Sequence, residues 1–299
     1  MDPRDLLRRV RRLELSTRRP VHGTISGRYR SVFKGRGIAF ADVRPYAPGD
    51  EVRAIDWNVT ARRGALHVRR FAEERELTVL LVVDVSASTD FGSAERTKRE
   101  AAAEVAALVA MSAVASGDRV GLALFTSEVE RYVPARRGRR HALRLLAELL
   151  RYEPRSPGTD LAAALAFLRR VQRRAATVFL LSDFAEPRAD GRPDWSRPLA
   201  AAARRHDVVP VVVGDRAERA PPRTGATLLE DPETGAVVRV DLSDRRVQAA
   251  IARARAAEEA ARDEAFRRIG LESVRIDAAR GDVVAPLVRF FTARAARSS

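Results

Sequence analysis

Cysteine is absent from the 299 residues, lysine is nearly so, and aromatic residues make up only 6%. Without cysteine there is no disulfide framework, thiol nucleophile or thiolate metal site, and a cytoplasmic address is favoured. No apolar run approaches the roughly 18 to 20 residues that a membrane span needs. The stretch from Val105 to Ala115 is too short, and Glu104 precedes it. The start, Met1-Asp2-Pro3-Arg4, lacks the apolar core of a secretion signal. Lys34 and Lys98 are the only lysines, and neither completes a Walker loop, since Gly35 follows one and Arg99 the other. Any ATPase activity is therefore expected from a separate chain. The four histidines, His22, His67, His141 and His206, show no HExxH or paired spacing, and no G-x-S-x-G elbow occurs. Zinc hydrolysis and serine-hydrolase chemistry are disfavoured.

What is present is 45% hydrophobic and 32% charged, enough for a sizeable core in one large domain with an appendage. The net charge of +15 invites a nucleic-acid reading. The 53 arginines, however, are spread among many alanines instead of forming one tail, a bias that GC-rich coding also produces. Nucleic acid is disfavoured as a partner. A nucleic-acid-binding module remains the alternative, with Arg136 to Arg140 and the arginines of the first 75 residues as its best candidates.

From about Glu76 onward, apolar strand-like runs alternate with alanine-rich helical stretches. Strands are predicted at 78–85, 119–125, 129–133, 177–182, 208–213 and 273–276, with a hairpin over 226–229 and 236–240. Helices are predicted at 94–116, 140–152, 161–174, 197–205, 244–268 and 283–293. This rhythm predicts a doubly wound, mostly parallel α/β sheet covered by helices on both faces. Residues 1–75 lack long helical periodicity after about Leu15 and read as an amino-terminal β-rich subdomain, leaving 76–299 as the main domain.

At the end of the first buried strand stands Asp84-Val85-Ser86-Ala87-Ser88, spaced DxSxS. One carboxylate and two hydroxyls in a tight turn are hard oxygen donors, suited to Mg2+ or Mn2+. Thr159 precedes a predicted helix and Asp183 follows a predicted strand, so the three loops are expected at one carboxyl edge of the sheet. Asp160 reads as a helix-start residue behind that set. Taken alone, Asp and Ser after a strand are common turn and capping residues; the order of the three motifs carries the reading. In that order the chain resembles the von Willebrand factor A family and its metal-ion-dependent adhesion site. The resemblance implies that Asp84, Ser86, Ser88, Thr159 and Asp183 are the ligating positions. It also implies an open coordination position for an acidic side chain of a protein client.

Further motifs lie in the amino-terminal half: Phe33 to Gly37 (FKGRG), Val43 to Asp50 (VRPYAPGD), Arg53 to Arg62 (RAIDWNVTAR) and Phe71 to Arg75 (FAEER). On these the chain resembles the bacterial domain of unknown function 58 (DUF58) family, over nearly its whole length. That resemblance implies a non-enzymatic adaptor working with a MoxR-type AAA+ ATPase. Some members carry membrane spans; none is expected here. Asp56, Trp57 and Arg62 are candidates for a partner surface beside the metal edge, although Trp57 and Tyr46 could equally pack that layer onto the sheet. The enzymatic rival is a magnesium-dependent phosphohydrolase of the haloacid-dehalogenase type. It needs a carboxylate two residues after the nucleophilic aspartate, where Ser86 stands, and a lysine that is hard to place from the sequence.

Overall fold

A computed structural model describes residues 8, 11–12, 17, 25–33, 42–50, 52, 55–70, 76–185, 193–233 and 235–298. Its centre is a six-stranded sheet of β3 (Thr78–Asp84), β4 (Arg119–Phe125), β5 (Val129–Arg136), β6 (Thr177–Ser182), β7 (Asp207–Gly214) and β10 (Val274–Asp277). The strand order is β10-β7-β6-β3-β4-β5. All neighbours are parallel except β4 and β5, which the short turn at Thr126 to Glu128 joins as an antiparallel pair. A bulge interrupts that pair near Gly121, where an added Cβ would meet Leu80 Cδ2 at 2.7 Å. The backbone of β5 also comes close, at 3.0 Å from Ala135 N, so a larger residue there would have to displace Leu80 and strain the bulge.

The apolar run of β3 serves two cores at once, because successive side chains point to opposite faces. Val79, Leu81 and Val83 join one core with α3 (Lys98–Ala115), α4 (Arg139–Arg151) and α9 (Val284–Ser298). Leu80 and Val82 join the other, with α5 (Leu161–Val171), α6 (Ser196–Ala203) and Phe266 of α8 (Arg245–Ile269). Helix α3 is buried almost all round, and its seven buried alanines allow close approach to the sheet. It begins at Lys98 and not near Ala94, because Thr97 and Glu100 form a capping box there; a 3-10 turn, Ala87–Asp90, precedes it. The remaining expected elements lie within a few residues of their observed bounds. A short helix, α7 (Arg216–Arg219), is additional. The doubly wound α/β sheet expected from the sequence is present.

The stretch read as β-rich divides into two parts. Helix α1 (Ser26–Phe33) was not foreseen, and it belongs to the first core: Tyr29 is fully buried and stacks edge-on against Phe291, while Phe33 meets Phe179. Its apolar residues fall at i, i+3 and i+4 (Tyr29, Val32, Phe33), a helical repeat too short to register as periodicity. The Tyr29 hydroxyl donates to Asp118, which also accepts the Leu77 N–H ahead of β3. The second part is a small unit in which β1 (Asp42–Pro45) pairs antiparallel with β2 (His67–Arg70) around α2 (Trp57–Arg63). Lys34 to Gly37 and Phe71 to Arg75 lie outside the described residues. A separate hairpin, β8 (Ala226–Glu230) with β9 (Val237–Asp241), follows α7. Among the described residues no helix is long and apolar enough to cross a membrane.

Candidate functional site

Parallel pairing of β3 with β6 sets Val83 opposite Leu181, so both strands end together and deliver Asp84 beside Ser182 and Asp183. From β3 the chain passes to β4 on one side, while β6 leads to β7 and β10 on the other. The two aspartates thus sit at the crevice where strand order reverses. Asp84 is buried. One of its oxygens accepts the Ser86 N–H at 2.9 Å and the other accepts the Ser182 hydroxyl at 2.7 Å. The Ser86 and Ser88 hydroxyl oxygens are 3.2 Å apart, and Ser88 donates to Asp183 at 3.2 Å. Four of the five expected ligating residues therefore form one hydrogen-bonded cluster.

Thr159 reaches the same edge by a different route. Its loop is pinned where Ala87 N–H donates to the Pro157 carbonyl and Asp160 N–H to the Thr126 carbonyl, both at 2.9 Å. Buried Glu130 holds the loop from behind, accepting the Tyr152 hydroxyl and the Arg155 and Ser156 N–H groups. The Thr159 hydroxyl donates to Glu233, at the tip of the β8–β9 hairpin, at 2.9 Å. The nearby Ser88 hydroxyl makes a smaller contribution to holding the Glu233 carboxyl down. Asp160 is the cap of α5, accepting Ala163 N–H at 2.7 Å, as its helix-start reading anticipated.

Lys98 is the residue that sequence reasoning missed. It is 1% exposed, and its ammonium donates to Asp183 at 2.7 Å and to Glu218 at 2.8 Å. Glu218 is held for this by a capping box with Asp215. The available signal was compositional: among so many arginines Lys98 is one of two lysines, and its compact ammonium fits a closed pocket. The difficulty of placing a lysine, raised against a phosphoryl-transfer site, is thereby removed. The absence of a second carboxylate at Ser86 stands.

The charges are unequally matched. Burial favours a neutral Asp183, but Lys98, the Ala185 N–H and Ser88 outweigh it and hold that carboxyl below its ordinary range. Burial would lower the Lys98 pKa, yet Asp183 and Glu218 raise it. Asp84 has no cation paired with it among the described residues. Burial and then the Asp183 charge push its carboxyl up to about 7, against the hydrogen bonds from Ser86 and Ser182. At Glu233 burial raises the carboxyl, Thr159 opposes this, and Asp183 adds to it. Directly after Asp183, Phe184 takes a left-handed backbone (φ 57°), costly for a bulky side chain. It is held there by edge-on contacts with Trp195 and Phe266 at 5.3 and 5.1 Å. Those contacts fix the turn that presents Asp183.

Asp56, Trp57 and Arg62 belong to the small β1–β2 unit. Asp56 caps α2, accepting the Asn58 and Val59 N–H groups at 3.0 and 3.2 Å. Trp57 is 64% exposed, so it does not pack that layer onto the sheet, and Arg62 is exposed as well. No hydrogen bond or ion pair among the described residues joins Trp57 or Arg62 to the Asp84 cluster.

The description "Protein of unknown function DUF58" matches residues 42–261. The chain belongs to the DUF58 family. The matched segment runs from β1 into α8 and includes all five expected ligating residues together with Lys98, Glu218 and Glu233. An uncharacterized protein of Mycobacterium tuberculosis, Rv1480, is similar to this DUF58 chain at 37% identity, covering 98% of it and 90% of the relative. The uncharacterized protein YeaD of Bacillus subtilis is 31% identical over 36% of this chain and 25% of its own. Among solved structures, an aerotolerance-related membrane protein from Bacteroides fragilis aligns with 74% of this chain and 99% of its own, at 15% identity and a TM-score of 0.44.

The donor set of this DUF58 site is compatible with a hard divalent cation. It offers carboxylate and hydroxyl oxygens from three loops, and it leaves a buried carboxylate without a counter-charge, which a cation would supply. Among the described residues no group of three or more His, Cys, Asp or Glu side chains is gathered as a metal cluster. The site would therefore rely on serine and threonine hydroxyls for a large part of its ligation.

Proposed function

We propose that this chain is a non-enzymatic, metal-dependent adaptor with a von Willebrand factor A-like domain. In this reading Asp84, Ser86, Ser88, Thr159 and Asp183 hold Mg2+ or Mn2+, and the ion supplies a bond to an acidic side chain of a protein client. A MoxR-type AAA+ ATPase is the proposed partner, on the strength of the family resemblance, with the cytoplasm as the place of action. The observation that carries the metal reading is Asp84: a buried carboxylate without a cation among the described residues, held by the Ser86 N–H and the Ser182 hydroxyl at the switch point of the sheet. Lys98 neutralises Asp183 and leaves Asp84 to the ion.

Binding to the native state alone stabilises it by about 2.7 kcal/mol when the ligand is at 100 times its dissociation constant. Titrating Mg2+ into the protein should accordingly raise its melting temperature, and the rise should vanish in Asp84→Ala and in Ser86→Ala/Ser88→Ala. No shift at millimolar Mg2+ or Mn2+ would end the proposal. A pull-down with and without chelator then tests the client side.

A second reading, a magnesium-dependent phosphohydrolase, is favoured by the Lys98 to Asp183 ion pair beside Asp84. It is weakened by Ser86, which cannot act as the missing general acid. Hydrolysis of p-nitrophenyl phosphate in Mg2+ that disappears in Asp84→Asn would install it in place of the adaptor.

A further inference from the structure

The β8–β9 hairpin turns apolar side chains outward on both of its faces: Leu228, Val237 and Val238 are each more than half exposed. An isolated two-stranded ribbon with so little packing has marginal stability of its own. Its tip is nevertheless anchored. Asp231 and Pro232 are exposed, while the next residue, Glu233, is half-buried. Asp231 shapes the turn by accepting the Glu233 N–H on its side chain (3.0 Å) and the Gly235 N–H on its carbonyl (2.8 Å). So presented, the Glu233 carboxylate accepts the Thr159 hydroxyl at 2.9 Å, with Ser88 close by.

Thr159 and Ser88 come from two different loops of the proposed ligand set. A carboxylate hydrogen-bonded to the first and near the second stands where an acidic side chain from another protein would have to enter. The carboxylate is also set near the Asp183 charge, an approach that a metal ion would turn from repulsive to attractive. We infer that Glu233 is the site's own acidic ligand, so that the β8–β9 hairpin and an acidic client exclude one another. This rests on the metal reading proposed above. The exposed, loosely packed strands are the physical counterpart: releasing the tip disturbs little of the core, so the hairpin can leave as a unit.

The test is hydrogen exchange of residues 226–241 in the full chain, with and without Mg2+, alongside the thermal shift. In the wild-type chain Mg2+ should slow hairpin exchange, and Asp84→Ala should abolish that response. In Glu233→Gln, whose amide still accepts from Thr159, the thermal shift should persist with its Mg2+ midpoint raised by about tenfold. The Mg2+-dependent protection of the hairpin should be lost in that variant. Equal protection in Glu233→Gln and wild type would overturn the inference, because a hydrogen bond alone would then suffice. A Mg2+ thermal shift without any change in hairpin exchange would also overturn it while leaving the metal site standing. Absence of a shift in both chains would remove the metal site and the inference together.

Discussion

The carboxyl edge of the sheet carries two concentrations of charge that behave differently. Beyond the ends of β7 and β10, and reaching as far as Asp183 and Glu218, lies an open cleft of about 590 Å³ lined besides these by seven arginines and five carboxylates. Three of those arginines pair with carboxylates of the same lining: Arg219 with Glu259 at 2.9 Å, Arg255 with Glu258 at 2.8 Å and Arg280 with Asp277 at 3.3 Å. At the ends of β3 and β6 there are fewer charged groups: Asp84 and Lys98 are buried, Asp183 and Glu218 are partly so, and Lys98 is shared between Asp183 and Glu218 while Asp84 is left without a cation among the described residues. Charges in a solvated cleft are screened by water and gain little from an ion. A buried carboxylate without a partner gains a great deal. Charge number is thus a poor guide to where a ligand binds, and charge balance under burial is a better one.

The contrast can be broken most forcefully at Lys98. Lys98→Met keeps the volume but strips the buried cation, and it should cost about 3–5 kcal/mol in chemical denaturation, since two carboxylates lose their partner. A cost below about 1 kcal/mol would mean that the β3–β6 edge is as forgiving as the cleft.

The next effect belongs to Asp84. Its folded carboxyl titrates at about 7, above the ordinary 3.8, so the native state holds the proton more tightly than the unfolded chain. Its contribution to stability is full below about pH 4 and is lost as pH rises through 7. At about 1.4 kcal/mol per unit, the loss is on the order of 4 kcal/mol. Asp84→Asn should remove this slope, making the metal-free variant more stable than the wild-type chain at pH 8 and nearly equal to it at pH 4. Melting curves across that range check the sign. Metal affinity of the wild-type chain should rise over the same window as the carboxylate ionises.

The smallest effect is expected in the cleft. Arg219→Ala and Arg255→Ala remove exposed or half-exposed pairs and should each cost less than about 1 kcal/mol, with the Mg2+ thermal shift unchanged. A large loss of that shift in either would show that the two regions are coupled.

Much of this was legible in the residues. The continuous apolar runs of Thr78 to Val83 and Thr177 to Leu181 announce doubly buried strands, and DxSxS at Asp84 with Asp183 marks their shared edge. Helix α1 was not legible, because Tyr29, Val32 and Phe33 make a single turn of pattern whose meaning comes from Phe179 and Phe291. Glu130 was equally hidden: nothing local separates a carboxylate that collects the N–H groups of Arg155 and Ser156 from an ordinary surface glutamate.

By itself, then, the sequence determined the alternation of strands and helices, the edge at which polar side chains emerge and the oxygen character of the donors, since each follows from local periodicity and side-chain chemistry. Only the tertiary structure decided the balance of charge. Lys98 meets Asp183 and Glu218, and Glu233 meets Thr159, across separations in the chain of 85, 120 and 74 residues. Which carboxylate is neutralised and which is left without a cation depends on burial and proximity, and neither is written in any one segment.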